Sequence, residues 1–311
     1  PRWIATLFGL PMLYALERGN LIVVAFAALL LAGEPLARRG RLGLLAEALA
    51  YNLKPFLTIF LLPGLVRRRW SAFAGQAAVI LGIYVAACLI EQGGWPLTLL
   101  RNVGQLMHNT RGAAWNNLYY ATTYWQLVHA ADGGFFAGWG WSAPAMGAAR
   151  LLAIVAMTLG AAAVLACYAL ACARPGRARP RRLWALGFLF IVTLFGASGY
   201  STVVVMPLAF AETGAGRRSA LVVICAYLLC LPLDGVIRPL FHLQAQSHLA
   251  GRRIWADYGL SIGQLARPGL LLAMEYALAS LTLDDLGVGP WVARTAARWR
   301  AGAFHTPPRA S

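Results

Sequence analysis

"EALAYNLKPFLTIFLLPGL", residues 47–65, is an apolar stretch with Lys54-Pro55 at its middle. Lys54 is the only lysine of the chain; the rest of its 27 basic residues are arginine. Both flanks of the stretch are basic, with Arg38, Arg39 and Arg41 before it and Arg67, Arg68 and Arg69 after it. Arginine and lysine hold loops on the cytoplasmic side of a bilayer. Two such flanks therefore conflict with one straight crossing. Proline removes a helix hydrogen bond and disfavours helix at the residue before it. Two readings fit. In one, residues 42–66 form two half-helices that enter and return, with Lys54 near the turn, where irregular backbone needs protein or water around it. In the other, Lys54 snorkels from a tilted, unbroken helix and one basic cluster lies outside.

The rest of the chain supports a bilayer as the setting. Of its 311 residues 59% are hydrophobic and only 12% charged, and its mean hydropathy is +0.62. Soluble domains carry about 25% charged residues, and apolar runs of spanning or near-spanning length recur here. A polytopic integral membrane protein is expected. The net charge of +16 sits in short clusters between apolar runs, which points to topology and away from nucleic acid. Cys88, Cys167, Cys172, Cys225 and Cys230 all lie in apolar runs without CxxC spacing, and read as small hydrophobes, not disulfides or metal ligands. The chain opens on Pro1 with no signal-peptide n-region and is read as a piece lacking an N-terminal part.

Apolar segments at 3–16 and 20–33 flank the polar break Glu17-Arg18-Gly19-Asn20, and the basic loop 34–41 follows. Beyond 42–66, spans are expected at about 71–90, 147–172, 183–197, 219–237 and 260–282. A short returning segment covers 202–211. Loops 34–41, 67–70 and 173–182 and the tail after 283 are expected in the cytoplasm. The polar, aromatic region 91–146 and the turn 196–201 are expected outside. Arg252-Arg253, in the polar stretch 238–259, fall on the wrong side in this scheme. No repeat of fixed period is visible. Residues 1–289 read as one transmembrane domain, all-α, of roughly 8 transmembrane or half-membrane helices, and 290–311 as a polar cytoplasmic tail.

Phosphate-loop, GxSxG, HExxH and Rossmann glycine signatures are absent, and no cofactor or metal site is identified. The candidates are polar groups at bilayer depth or at its outer face. An ionisable side chain at that depth costs at least ~2.5 kcal/mol on insertion scales and marks a functional site by default. Lys54 is such a group. Its ammonium either pairs with Glu47 or binds a phosphate. Glu17-Arg18-Gly19-Asn20 is either an interfacial loop or a place where glycine allows close backbone approach and Asn20 caps a helix. Trp115, Asn116, Asn117 and Tyr120, followed by Tyr124-Trp125, mix amides with aromatic faces, as sugar sites do; aromatic residues also form interfacial belts. Tyr200 lies in the expected exterior turn. Asp234 and Glu275 are accounted for by pairing with Arg238 and Arg267.

The stretch "LPMLYALERGNLIVVAFAALLLAGEPLARRGRLGLLAEALAYNLKPFLTIFLLPGLVRRRW", with Gly19-Asn20, Lys54-Pro55 and Arg67 to Trp70 in order, resembles the middle of glycosyltransferase family 87. These are polyprenyl-phosphate-mannose-type membrane transferases of the GT-C fold class. The resemblance covers residues 8–75 and is one of layout beyond them. It implies a GT-C-like bundle in the cell membrane. It implies transfer of a sugar, mannose above all, from a polyprenyl-phosphate donor to a lipid or envelope-glycan acceptor on the exterior face. It places the family's candidate catalytic base, an aspartate of the first external loop, upstream of Pro1, and leaves Glu17 as a weak candidate within the chain. The family's late exterior turn carries a histidine; here Ser198-Gly199-Tyr200-Ser201-Thr202-Val203 has none. Lys54 becomes the donor-phosphate ligand, and Asn20, Trp115, Asn116, Asn117, Tyr120 and Tyr200 the substrate-binding residues. A transporter or flippase of lipid-linked sugar, or a non-catalytic subunit of a glycan-assembly machine, is the alternative.

Overall fold

The structure, a computed structural model, describes residues 1–17, 19–32, 41–90, 122–125, 128, 142–196, 199–233, 235–247 and 250–288. It is predominantly helical. The helices are α1 (Arg2–Phe8), α2 (Leu10–Glu17), α3 (Ile22–Ala32), α4 (Arg41–Leu53), α5 (Leu62–Val66), α6 (Trp70–Ile90), α7 (Ala143–Ala173), α8 (Pro180–Ile191), α9 (Met206–Phe210), α10 (Arg217–Leu229) and α11 (Ile262–Asp285). 3₁₀ helices cover Pro55–Leu61 and Gly199–Val204, and a π turn continues α8 over Val192–Gly196. The core is centred on α8, whose residues 182–189 are all buried. An element apolar on every side belongs in the middle of a bundle, and α8 packs against α7, α9, α11 and the Pro55–Val66 segment.

The expected break at Lys54-Pro55 is present. α4 stops at Leu53, Lys54 takes a non-helical conformation (φ −140°, ψ 87°), and Pro55 opens the 3₁₀ helix that runs into α5. Two side chains fix α4 against α6. Gln76 donates to the Leu44 carbonyl (3.3 Å), and Asn52 donates to that of Ile80 (3.1 Å). The contacts advance in the same sense along both helices, so α4 and α6 start at the same end. Arg41 and the Arg67–Arg69 turn therefore share that end. Lengths agree: α4 rises about 20 Å over its 13 residues. The 3₁₀ helix and α5 together return about 21 Å. Residues 42–66 run out and double back.

Among the described residues two helices, α6 and α7, are long and apolar enough to cross a membrane. Both turn large aliphatic side chains outward. The only buried residue of α6 is polar, Gln76, while Leu81, Leu89 and Ile90 are exposed. α7 buries a seam of Met157, Gly160, Val164, Cys167 and Ala171, at alternating spacings of three and four, and exposes Leu151, Leu152, Leu159 and Leu165. The other expected spans are shorter or more polar. The segment expected at 219–237 is helical only over Arg217–Leu229, and α11, although 24 residues long, carries Gln264, Arg267 and Glu275.

The polar stretch 238–259, for which the sequence suggested no element, is a two-stranded antiparallel hairpin: β1 (Val236–Ser247) and β2 (Arg252–Ser261). Its turn uses Gly251 at φ +64°, and Ser247 Oγ accepts from the Ala250 N–H (2.9 Å). Arg252 and Arg253 sit beside that turn and are exposed. A lone hairpin is marginally stable, and this one is anchored at its base. Gly263 N–H donates to the Leu233 carbonyl (2.7 Å), and Gln264 Oε1 accepts from the Ser261 N–H (3.3 Å) where α11 begins. The tail from residue 290 lies outside the described residues.

Candidate functional site

Glu17, Gly19 and Asn20 form the junction between α2 and α3. Gly19 has φ +54°, a left-handed conformation that glycine adopts without penalty. Its N–H donates to the Leu16 carbonyl and that of Asn20 to the Ala15 carbonyl, both at 2.9 Å. This is a Schellman turn, which satisfies the last carbonyls of α2. Asn20 Oδ1 then accepts from the Ile22 N–H (3.0 Å) and caps α3. Both residue types are thus explained by helix ends. Glu17 is half-buried at the last position of α2.

Lys54 is held by the backbone on both sides. Its N–H donates to Ala50 O (3.0 Å), closing α4, and its carbonyl accepts from Leu57 N–H (2.9 Å), opening the 3₁₀ helix. Below it, Phe56 and Phe60 pack on Phe188 of α8, with ring centroids 6.0 Å apart in each pair. The backbone at the break is held from both sides. Pairing with Glu47 does not occur: Glu47, fully buried, accepts from the Tyr51 hydroxyl (2.5 Å) one turn on. Among the described residues the half-buried Lys54 ammonium has neither a hydrogen bond nor an ion pair. A compact cation with three donors, on a fixed helix break, can hold an anion.

Tyr200 opens the 3₁₀ helix 199–204, which packs against α2 and α3. Its ring lies 5.6 Å from that of Tyr14, and both border a narrow cleft with Leu10, Pro11, Gly199 and Arg267. Arg267 is buried against Gly199, where an added Cβ would stand 3.1 Å from its Nε. Arg267 therefore does not pair with Glu275, as the sequence suggested. Glu275 is fully buried and accepts from Thr193 of the π turn (2.7 Å) through Oε2, while its Oε1 faces Gly160 of α7 and has no hydrogen-bond partner among the described residues. π turns recur at functional positions, and no local sequence signal joins Thr193 to Glu275, 82 residues apart.

Trp115, Asn116, Asn117 and Tyr120 lie outside the described residues, as does Asp234. Of the aromatic run nearby, Tyr124 donates to the Leu265 carbonyl (3.0 Å), and Thr122 donates to that of Val192 (3.0 Å). That part of the run is fastened to α11 and the π turn. No group of three His, Cys, Asp or Glu side chains able to hold a metal ion occurs among the described residues.

A second polar cluster, missed in the sequence because its arginines were read only as topology signals, lies where α8 starts and α11 ends. Arg182, 5% exposed, grips Glu212 through Nε (2.9 Å) and Nη2 (2.8 Å), and its Nη1 donates to Asp285 (2.8 Å) and to the Leu281 carbonyl (3.1 Å). Arg179 reaches Asp285 (3.6 Å), and Arg218 reaches Asp284 (2.5 Å). The buried Arg182 guanidinium makes four hydrogen bonds within the chain, so the cluster reads as a clamp. Comparison of the chain with known protein families, curated proteins and solved structures finds no match in any of the three.

Proposed function

We propose that the chain is a multi-pass membrane glycosyltransferase that moves a sugar, mannose in the first instance, from a polyprenyl-phosphate donor to a lipid or envelope-glycan acceptor. The observation that carries this reading is Lys54: a half-buried cation at the break of an apolar segment, with no internal counter-charge among the described residues. The resemblance to family 87 rests on the residues quoted for it. The membrane setting is supported by α6 and α7, which turn leucine and isoleucine outward, and α7 keeps Gly160, Cys167 and Ala171 on its buried seam. In lipid such small-residue seams let helices approach.

In this reading the donor's phosphate lies at the membrane surface and its polyprenyl chain in the bilayer. The acceptor hydroxyl attacks the anomeric carbon, the bond to the phosphate oxygen breaks, and negative charge gathers on the leaving phosphate. A fixed cation stabilises that charge without reorganising during the reaction. Lys54 fills this role. α3 and α4 pack on each other across a short connection, and antiparallel pairing of such neighbours sets Asn20 and Lys54 at one end of the pair. Glu17, on the same α2–α3 junction, is the carboxylate the chain offers for the hydroxyl proton. The test is transfer of labelled sugar from polyprenyl-phosphate-mannose to extracted membrane acceptors by full-length protein in liposomes. Transfer that depends on the protein and stops with Lys54→Ala supports the reading; donor that is moved across the bilayer unchanged would make the protein a transporter.

A further inference from the structure

A groove of about 510 Å³ opens between the Pro55–Val66 segment, the start of α6, and helices α7 and α8. Its volume is within the ~300–1,000 Å³ range of ligand pockets. Ile59, Leu62, Leu65 and Arg68 line it at intervals of three residues, so they share one face. The floor is deepened by Gly187 of α8: a Cβ there would stand 2.6 Å from Tyr168 Oη and 2.8 Å from Ile59. Apolar along its length, the groove turns cationic and aromatic at one end, where Arg68 and the largely exposed Trp70 stand.

Arg68 occupies a position that its backbone does not favour. Its φ is +57°, the left-handed residue of a second Schellman turn, in which its N–H donates to Leu65 O (2.9 Å) and that of Arg69 to Gly64 O (3.0 Å). Glycine is the residue such a turn prefers. Among the described residues the Arg68 guanidinium makes no hydrogen bond or ion pair, and the buried Nε of the neighbouring Arg67 has no partner. The turn therefore presents cationic donors that are unused within the described structure, next to an apolar slot.

We propose that this groove binds an anionic membrane lipid, its alkyl chain along Ile59, Leu62 and Leu65 and its phosphate head group at Arg68. Charge complementarity selects this occupant. A neutral lipid would leave the Arg68 guanidinium unanswered, and a soluble anion would leave the apolar slot empty. Trp70 at the mouth is the side chain expected at head-group level. The site is separate from Lys54, which stands at the other end of the same return segment, and the inference does not rest on glycosyl transfer.

The test is native mass spectrometry of the purified full chain in neutral detergent, titrated with phosphatidylglycerol or phosphatidylcholine. One charge-assisted contact predicts a preference of roughly ten-fold or more for phosphatidylglycerol. Arg68→Gly removes the charge while relaxing the left-handed turn, so the fold is retained; the preference should fall to near unity. Leu165→Trp, on the groove wall but remote from the charge, should weaken both lipids. The proposal is overturned if Arg68→Gly keeps the preference, if Leu165→Trp binds both lipids as the parent does, or if glycerol 3-phosphate displaces phosphatidylglycerol as well as the lipid itself.

Discussion

Replacing Arg182 by alanine removes four hydrogen bonds made by a guanidinium that is 5% exposed. Its main partner, Glu212, is 7% exposed and would be left charged and unanswered. Asp285 would keep Arg179, but that arginine is 61% exposed and 3.6 Å away, so solvent screens the pair. Breaking a buried ion pair from one side costs about 3–5 kcal/mol, against a typical total of ~5–15 kcal/mol. The expected signature is a large fall in the thermal midpoint in detergent, measured by fluorescence or circular dichroism. Arg182→Lys should recover only part of it, because one ammonium cannot reproduce the two-point grip on Glu212 while also meeting Asp285. Arg182→Met combined with Glu212→Leu should cost less than Arg182→Ala alone, since no buried charge is then orphaned. Arg179→Ala, on the exposed side, should cost no more than ~1 kcal/mol. If Arg182→Ala is no more harmful than Arg179→Ala, the clamp reasoning is wrong.

Three further outcomes are expected. Gly160→Ala should destabilise by about 1–3 kcal/mol, because its Cβ would stand 3.0 Å from Glu275 Oε1 and 3.3 Å from Leu272; an unchanged midpoint would mean that α7 and α11 are not held this closely. Asn20→Ala should lose about 1 kcal/mol of stability, recovered by Asn20→Ser, whereas a loss of activity at unchanged stability would assign Asn20 to substrate and not to the cap. Gly147 and Gly176, near opposite ends of α7, have open space around them, so in intact cells a cysteine at 147 should label from outside and one at 176 should not. Labelling at 176 would invert the topology.

The return of residues 42–66 was legible because it follows from local chemistry: proline breaks a helix, and two basic flanks resist lying on opposite sides. The Gly19-Asn20 junction was legible for the same reason, as a helix stop followed by a helix start. The hairpin was not. Phe241-His242-Leu243-Gln244 alternates with period two, the strand signature, but register exists only once Val236 has Ser261 opposite it. Arg267 and Glu275 were placed together by proximity in sequence. Their observed neighbours, Gly199 and Thr193, come from a segment distant in the chain, Thr193 lying 82 residues from Glu275. The Arg182 clamp was hidden in the same way, since its carboxylates lie 30 and 103 residues away.

The account turns on Lys54, and the most direct measurement is the affinity of full-length protein in lipid for a polyprenyl-phosphate-linked sugar, with and without that side chain. Losing one charge-assisted contact of about 1.5–3 kcal/mol should weaken donor binding roughly ten- to a hundred-fold in Lys54→Ala. Lys54→Arg should not restore it, because a planar guanidinium does not replace a compact point charge. If Lys54→Ala remains folded and binds the donor as tightly as the parent protein, the phosphate is held elsewhere and the central assignment fails.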